Sequence, residues 1–187
     1  MFTKKMQSLF FALIGAWMLV ACTPQSTKVA GQDTPAAITD QNTRNLKWNP
    51  ADTTWTEKVL KSDDEWRKVL TNEEFEITRR QGTEYAFSSP LYEVEDKGMY
   101  YCTCCANPLF RSETKFHSGT GWPSYWKPYA TKSVATTSDN SHGMVRVEVH
   151  CARCEAHLGH VFDDGPRPTG MRYCMDGVAL HFEKDKK

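Results

Sequence analysis

The chain has 187 residues, and its 23 basic and 23 acidic side chains cancel to a formal net charge of zero at pH 7. That balance argues against a protein that binds nucleic acid or another polyanion through a basic surface. Hydrophobic residues make up 40% of the chain, while glycine and proline are ordinary in number, so most of the chain is expected to be globular. The informative departure from average composition is the presence of seven cysteines.

The N-terminal residues have the pattern of a bacterial lipoprotein signal. Two lysines precede an apolar run at residues 9–20, which is too short to cross a bilayer comfortably but suits a signal peptide. The run ends in Leu-Val-Ala before Cys22, which resembles a lipobox, where the cysteine is acylated. We predict a signal peptide over residues 1–21 and a lipidated Cys22, with an ordinary signal peptide as the alternative. Lipidation would anchor the protein on the extracytoplasmic side of a membrane in the bacterial cell envelope.

A flexible tether and one globular domain are predicted to follow. Residues 22–45 are rich in Thr, Gln, Asp, Asn and Pro and contain no aromatic side chain, so they cannot bury enough apolar surface to offset the entropy of ordering. The composition changes abruptly after residue 45. Residues 46–183 hold every remaining cysteine and are long enough for one core, and a charged tail occupies residues 184–187.

Secondary-structure signals in the domain change from helical to strand-like. Capping boxes at residues 62–65 and 71–74 predict two short helices, and Gly82 is the predicted stop of the second. Residues 144–150 alternate with three valines on one face, which predicts a strand, and residues 178–182 are predicted to form a short closing strand. The predicted fold class is α+β, mainly β, with antiparallel sheets and short flanking N-terminal helices.

Two C-x-x-C pairs predict a structural metal site. Cys102 with Cys105, and Cys151 with Cys154, supply four thiolates, the ligand set that structural zinc prefers. The long interval between the pairs implies two separate knuckles that converge through the fold. Because an exported protein lives in an oxidising compartment, a pair of disulfides is the alternative. We predict one structural Zn²⁺.

Lipid and metal together leave two cysteines for other chemistry. Cys104 is placed between two predicted ligands, so structure alone can account for it. Cys174 has Arg172 two residues away, and a guanidinium favours a thiolate over a thiol. The alternative for Cys174 is a buried, inert side chain.

The second half of the chain resembles the methionine sulfoxide reductase B family. The resemblance covers residues 62–182 and is carried by five ordered motifs together with both C-x-x-C pairs. The five motifs are Gly119-Thr120-Gly121-Trp122-Pro123-Ser124, Ser141-His142-Gly143-Met144, His157-Leu158-Gly159-His160-Val161-Phe162, Asp164-Gly165-Pro166 and Pro168-Thr169-Gly170-Met171-Arg172-Tyr173-Cys174. It implies stereospecific reduction of the R epimer of methionine sulfoxide. It also implies antiparallel sheets with short helices, and a zinc site away from the catalytic pocket.

The resemblance gives the residues their expected roles. Cys174 is expected to attack the sulfoxide sulfur, so that methionine leaves and a sulfenic acid remains on the enzyme. His157 and His160, three positions apart around a glycine, are expected to lie on one side of a turn and to protonate the oxygen. Trp122 is expected to form an apolar wall for the S-methyl group, and Arg172 to tune the thiolate.

Two positions depart from the family pattern. Thr120 occupies the turn where many members carry a resolving cysteine, which would form a disulfide with Cys174. We therefore expect an external thiol to reduce the sulfenic acid directly. Cys104 is a less favoured substitute for the resolving cysteine. Asp176, an expected substrate-binding residue, stands where the family usually has asparagine. An amide donates a hydrogen bond at any pH, whereas a carboxyl group donates only when protonated.

The expected partners are oxidised methionine-containing proteins, a thioredoxin-like thiol reductant and, through the lipid anchor, a membrane. No nucleic acid is expected, and the protein is predicted to be a monomer. Two competing functions are a zinc-ribbon interaction module and a thiol-disulfide oxidoreductase. The first leaves Cys174 and the two histidines unexplained, and the second would use a C-x-x-C pair for redox chemistry instead of metal binding.

Overall fold

A computed structural model describes residues 57–186. Within them, two α-helices precede nine strands, which are α1 (Asp63–Arg67), α2 (Asn72–Arg80), β1 (Gly98–Cys102), β2 (Pro108–Arg111), β3 (Lys115–Phe116), β4 (Ser124–Tyr125), β5 (Val134–Asp139), β6 (Arg146–Cys151), β7 (His157–Phe162), β8 (Arg172–Met175) and β9 (Leu180–Lys184). Short 3-10 helices lie at Pro90–Tyr92, Ser112–Thr114, Ser141–Gly143 and Gly177–Ala179. No helix in the described part of the chain is long and apolar enough to cross a membrane.

The strands form two antiparallel sheets, which confirms the predicted fold class. The small sheet has the order β2-β1-β9, and the large sheet has the order β3-β4-β8-β7-β6-β5. Three buried rings join the sheets, because Tyr125 of the large sheet stacks on Phe110 at 4.3 Å and meets Tyr100 edge-on at 5.1 Å between ring centroids. The helices cover the core with Trp66 and Phe75, both almost fully buried.

Both helices begin where the capping boxes predict. Ser62 accepts a hydrogen bond from the Glu65 backbone N–H, and the Glu65 carboxylate accepts one in return from the Ser62 N–H. Thr71 and Glu74 repeat the arrangement at α2. These reciprocal bonds satisfy N–H groups that have no partner inside the helix.

The end of α2 differs in detail from the prediction. Gln81, not Gly82, adopts the left-handed conformation after the helix, with φ of 56°. Gly82 follows it and donates its N–H to the Glu76 carbonyl at 3.0 Å. A Cβ at Gly82 would lie 3.0 Å from that same oxygen, so any side chain at this position would crowd the end of the helix.

Two predicted strands begin later than expected. The strand predicted at residues 144–150 starts at Arg146, because a 3-10 helix precedes it with His142 at φ 53°. Its three valines lie on one face but differ in burial. Val145, Val147 and Val149 are 88%, 43% and 0% exposed. The closing strand predicted at residues 178–182 is β9, which begins at Leu180 and extends to Lys184.

Candidate active site and cysteine cluster

One row of directly opposed residues crosses the large sheet through Cys174. Antiparallel pairing places Ser124 of β4 and His160 of β7 on either side of Cys174, and Glu148 of β6 beyond His160. Directly opposed residues in antiparallel strands project from the same face of the sheet. The register therefore gathers a thiol, a hydroxyl, an imidazole and a carboxylate on one face.

The two histidines lie in strand β7, so the predicted turn is wrong. Residues three apart in a regular strand project to opposite faces, yet the two rings lie 5.5 Å apart between centroids. Between them Gly159 has φ of 143°, and the β6–β7 register shifts beside it. A Cβ on Gly159 would collide with the Cys174 carbonyl oxygen, so only glycine allows β7 this path against β8.

The two imidazoles occupy different environments. His160, directly opposite Cys174, retains a side-chain exposure of 12%, and its Nε2 lies 2.8 Å from Asp139 Oδ2. His157 is 3% exposed, with Nδ1 2.7 Å from Glu148 Oε1 and Nε2 3.7 Å from Asp176 Oδ2. Burial lowers the pKa of His157 against the opposing effect of Glu148. His160 is thus the imidazole placed beside the thiol, and His157 is enclosed between carboxyl groups.

Cys174 is half-buried beside Thr120. The Thr120 hydroxyl oxygen lies 3.8 Å from the Cys174 sulfur. Burial raises the pKa of the Cys174 thiol, while Thr120 and then the Arg172 guanidinium oppose the rise. The predicted electrostatic effect of Arg172 on the Cys174 pKa is present, but desolvation of the thiol outweighs it.

Arg172 is held rigidly in place. Its guanidinium donates two hydrogen bonds to the Asp164 carboxylate, at 2.8 and 2.9 Å, and lies 4.4 Å from the centre of the Phe162 ring. A bidentate pair fixes both the position and the orientation of the cation. Asp164 therefore orients the charge that opposes the burial effect at Cys174.

Asp176 is buried beside the site, and a second buried carboxyl group, Glu84, organises its surroundings. Glu84 donates its backbone N–H to Asp176 Oδ1 at 3.1 Å, and its carboxylate accepts from the Gly177 and Val178 N–H groups at 2.6 and 2.9 Å. Its carbonyl accepts from the Trp122 indole at 3.3 Å. Burial raises the pKa of Asp176 to about 7, with the Glu84 charge adding to the rise. Sequence inspection missed Glu84, because no spacing links residue 84 to residues beyond 170.

The four cysteines predicted as metal ligands lie together in the core. The sulfur atoms of Cys102, Cys105, Cys151 and Cys154 are all within 4.8 Å of one another, and those of Cys102–Cys154 and Cys105–Cys151 are 3.7 and 3.6 Å apart. A disulfide requires about 2 Å. Tetrahedral zinc with Zn–S bonds of about 2.3 Å requires sulfurs roughly 3.8 Å apart. The cluster thus fits one Zn²⁺.

The two cysteine pairs are held by turns of the same form. Ala106 and Glu155 follow the second cysteine of each pair at φ 55° and 61°, and each donates its N–H to the carbonyl of the first cysteine. Each turn joins two strands, β1 to β2 and β6 to β7. One knuckle therefore comes from each sheet, and a shared ion would link them.

Cys104 lies against helix α2 and is not part of the row through Cys174. It is 9% exposed, and its sulfur is 3.3 Å from the Thr78 hydroxyl. The lipidation site at Cys22, the signal peptide at residues 1–21, and the tether at residues 22–45 lie outside the described residues.

Comparisons with known proteins identify the family of the chain. Residues 70–184 match the SelR domain family. The chain is 52% identical over 126 residues to the peptide methionine sulfoxide reductase MsrB of Hahella chejuensis, covering 67% of this chain and 91% of that protein. The enzymes of the same name from Leptospira interrogans and Pseudomonas aeruginosa PAO1 are 51% and 53% identical, over 68% and 66% of this chain and 98% and 93% of theirs.

Proposed function

The chain belongs to the SelR domain family, which its MsrB relatives share, and from this premise we propose that it reduces the R epimer of methionine sulfoxide in oxidised proteins to methionine. The observation that carries the proposal is the placement of His160 directly opposite Cys174, with a half-buried thiol between His160 and Ser124. This geometry offers a nucleophile and an adjacent proton donor at one point, as reduction of a sulfoxide requires.

The reaction transfers one oxygen atom and two electrons. Cys174 attacks the sulfoxide sulfur as a thiolate, and the sulfoxide oxygen accepts a proton from the imidazole of His160. The oxygen then passes to the Cys174 sulfur as its bond to the substrate sulfur breaks, and the bond between the two sulfurs breaks with the electron pair staying on the substrate. Methionine leaves with its sulfur reduced, and Cys174 is oxidised to the sulfenic acid. Trp122 and Arg172 are proposed to line the pocket and to support the thiolate.

An external thiol is proposed to complete the cycle. The first donor thiol condenses with the sulfenic acid to form a mixed disulfide and water, and a second thiol of the donor then releases Cys174 as the thiol. Thr120 cannot form a disulfide with Cys174. A thioredoxin-like dithiol supplies both donor sulfurs.

The bound zinc would have a structural role. Cys102, Cys105, Cys151 and Cys154 are the proposed ligands, and the metal would supply a cross-link between the two sheets. The four ligands lie at the turns that join β1 to β2 and β6 to β7 and are not members of the row through Cys174, so no proposed chemical step at Cys174 involves the metal.

The cellular setting is also proposed from sequence. The apolar run at residues 9–20 and the lipobox at Cys22 support an enzyme anchored by lipid on the extracytoplasmic side of a membrane. Metabolic labelling with a palmitate analogue tests the anchor, and Cys22→Ser should abolish the label.

Incubation of the reduced protein with racemic methionine sulfoxide and dithiothreitol tests the activity. We expect methionine to form from the R epimer alone, and Cys174→Ser to abolish its formation. A zinc-ribbon interaction module would form no methionine. A thiol-disulfide oxidoreductase would instead reduce disulfides through a C-x-x-C pair, and would contain no stoichiometric zinc.

A further inference from the structure

Two aromatic side chains next to the proposed substrate pocket are exposed to solvent. Tyr85 and Phe87 are 89% and 64% exposed, and they lie in one tight turn closed by a hydrogen bond from the Ser88 N–H to the Tyr85 carbonyl at 3.1 Å. Leaving large apolar side chains in water costs free energy, and adjacent exposed rings are typical of recognition surfaces.

The turn is built into the wall of the site. The Phe87 N–H donates to the Gly121 carbonyl at 2.8 Å, and a Cβ on Gly121 would come within 2.9 Å of the Phe87 ring. Gly121 stands between Thr120, which contacts the Cys174 sulfur, and Trp122. The exposed rings therefore adjoin Thr120 and Trp122, the residues beside the reactive thiol and in the proposed pocket wall.

The conformation of Phe87 is strained. Its φ of 64° lies in the left-handed region, where a bulky residue is a true outlier and where glycine or asparagine is expected at this position of a turn. Such strain persists only when the surroundings enforce it. Here the Phe87 ring meets Tyr92 edge-on at 5.2 Å, and Tyr92 in turn meets His117 at 5.6 Å between ring centroids. The fold thus supports an aromatic ring in an orientation that the backbone alone disfavours.

We propose that Tyr85, Phe87 and Tyr92 form an aromatic ledge that binds the apolar side chains flanking methionine sulfoxide in an extended or partly unfolded polypeptide. The inference rests on the proposed function and adds a determinant of substrate preference. An extended chain advances about 3.3 Å per residue, so a side chain one or two positions from the sulfoxide reaches a surface that adjoins the pocket. Methionines are mostly buried among apolar neighbours, so oxidised proteins that have partly unfolded present such segments.

A comparison of three substrates tests the ledge. The probes are a pentapeptide with methionine (R)-sulfoxide flanked on both sides by leucine, the same peptide flanked by glycine, and N-acetyl-methionine (R)-sulfoxide. The variants are Tyr85→Ser and Phe87→Asn, of which the second retains a residue that tolerates positive φ. Leu60→Ser is the matched control, because Leu60 is also an exposed apolar side chain, at 75%. Leu60 lies near the second cysteine pair, since the N–H of the preceding residue, Val59, donates a hydrogen bond to the Arg153 carbonyl.

The wild-type protein should favour the leucine-flanked peptide. In the ledge variants, kcat/KM for that peptide should fall about fivefold to tenfold, the loss expected when a modest apolar contact is removed. It should change less than about twofold for the acetylated amino acid, and Leu60→Ser should alter neither value.

Equal losses for all three substrates, or no loss for the leucine-flanked peptide, would overturn the ledge. A shift in sedimentation of the ledge variants with peptide preference unchanged would do so as well, since it would assign the surface to a second copy of the chain. Failure of the wild-type protein to reduce any of the three probes would instead contradict the proposed function.

Discussion

Five of the six described cysteines lie in or beside the metal cluster, and the sixth, Cys174, lies alone in strand β8. The four cluster sulfurs are buried, face one another and belong to turns with the same backbone form in two different sheets. Cys174 is half-buried beside the Thr120 hydroxyl and the Arg172 guanidinium, and it lies opposite His160 in the sheet. Cysteine thus cross-links the chain in the metal cluster, whereas at position 174 its thiol is available for reaction.

The difference shows that the reactivity of a cysteine depends on its exposure and on the groups around its sulfur, and not on its spacing from other cysteines. A thiolate bound to zinc is shielded from oxidants and substrates, whereas a free thiol beside cationic and hydroxyl groups can react. Changes in the cluster should therefore affect folding, and changes in the row through Cys174 should affect turnover in a folded protein.

Loss of a cluster cysteine should give the largest effect. In Cys105→Ala we expect zinc content to fall from one per chain to near zero, because a closed structural site needs all four ligands. The thermal midpoint should fall by at least about 10 °C, since metal binding contributes directly to folding. Metal analysis and thermal unfolding followed by circular dichroism measure both quantities.

Cys104→Ser is the matched control for the cluster. Its sulfur contacts Thr78, and it is not one of the four clustered ligands. Zinc content should remain at one per chain, and loss of zinc in this variant would show that the ligand set is wrong.

Removal of the imidazole opposite the thiol should affect turnover alone. In His160→Asn we expect kcat to fall by roughly 10²- to 10⁴-fold, the usual contribution of a general acid, with zinc content and thermal midpoint nearly unchanged. Steady-state kinetics with dithiothreitol measure the loss. His157→Asn should lose more stability than His160→Asn, since His157 is the more deeply buried. An equal loss of stability in the two variants would contradict the assignment of His160 to turnover and of His157 to stability.

Asp176→Asn should change the pH dependence. The pKa of Asp176 is raised by burial to about 7, so the wild-type carboxyl group donates a hydrogen bond below that pH and loses the proton above it. Because the folded pKa exceeds the unfolded value of 3.8, this group makes the wild-type protein progressively less stable as pH rises from about 4 to about 7. The variant should match the wild type in kcat/KM near pH 6 and exceed it near pH 8.5. Its thermal midpoint should exceed that of the wild type by an amount that grows between about pH 4 and about pH 7 and is then constant. A large loss of activity at pH 8.5 would mean that the ionised carboxylate itself has a role.

Cys104→Ser should give the smallest effect on recycling. Since Cys104 is buried against α2, turnover with a thioredoxin-like donor should change less than about twofold. If this variant lost turnover with that donor but still formed one methionine per enzyme, Cys104 would be the resolving thiol.

Local signals in the sequence predict part of this structure well. The capping boxes at Ser62 and Thr71 give both helix starts, because a cap depends only on residues three positions apart. The two C-x-x-C pairs predict the four residues that cluster, because zinc chemistry restricts the ligand spacing within each pair.

Features that depend on the register between distant strands could not be predicted. The path of β7 depends on Gly159 meeting the Cys174 carbonyl, so the histidines were expected on a turn. The buried Glu84 carboxylate contacts residues more than ninety positions away, and no local pattern indicates that contact. The exposed Val145 ahead of β6 and the exposed Val147 within it likewise reflect tertiary packing that alternation alone cannot specify.

A single-turnover experiment without any reductant tests the central claim most directly. The reduced protein is mixed with methionine (R)-sulfoxide, and methionine and the modified peptide are measured by mass spectrometry. We expect one methionine per enzyme and an increase of about 16 Da on the peptide carrying Cys174, the mass of the oxygen in a sulfenic acid. Cys174→Ser should give neither. Methionine formed by Cys174→Ser, or oxygen found on another cysteine, would contradict the assignment of Cys174 as the nucleophile.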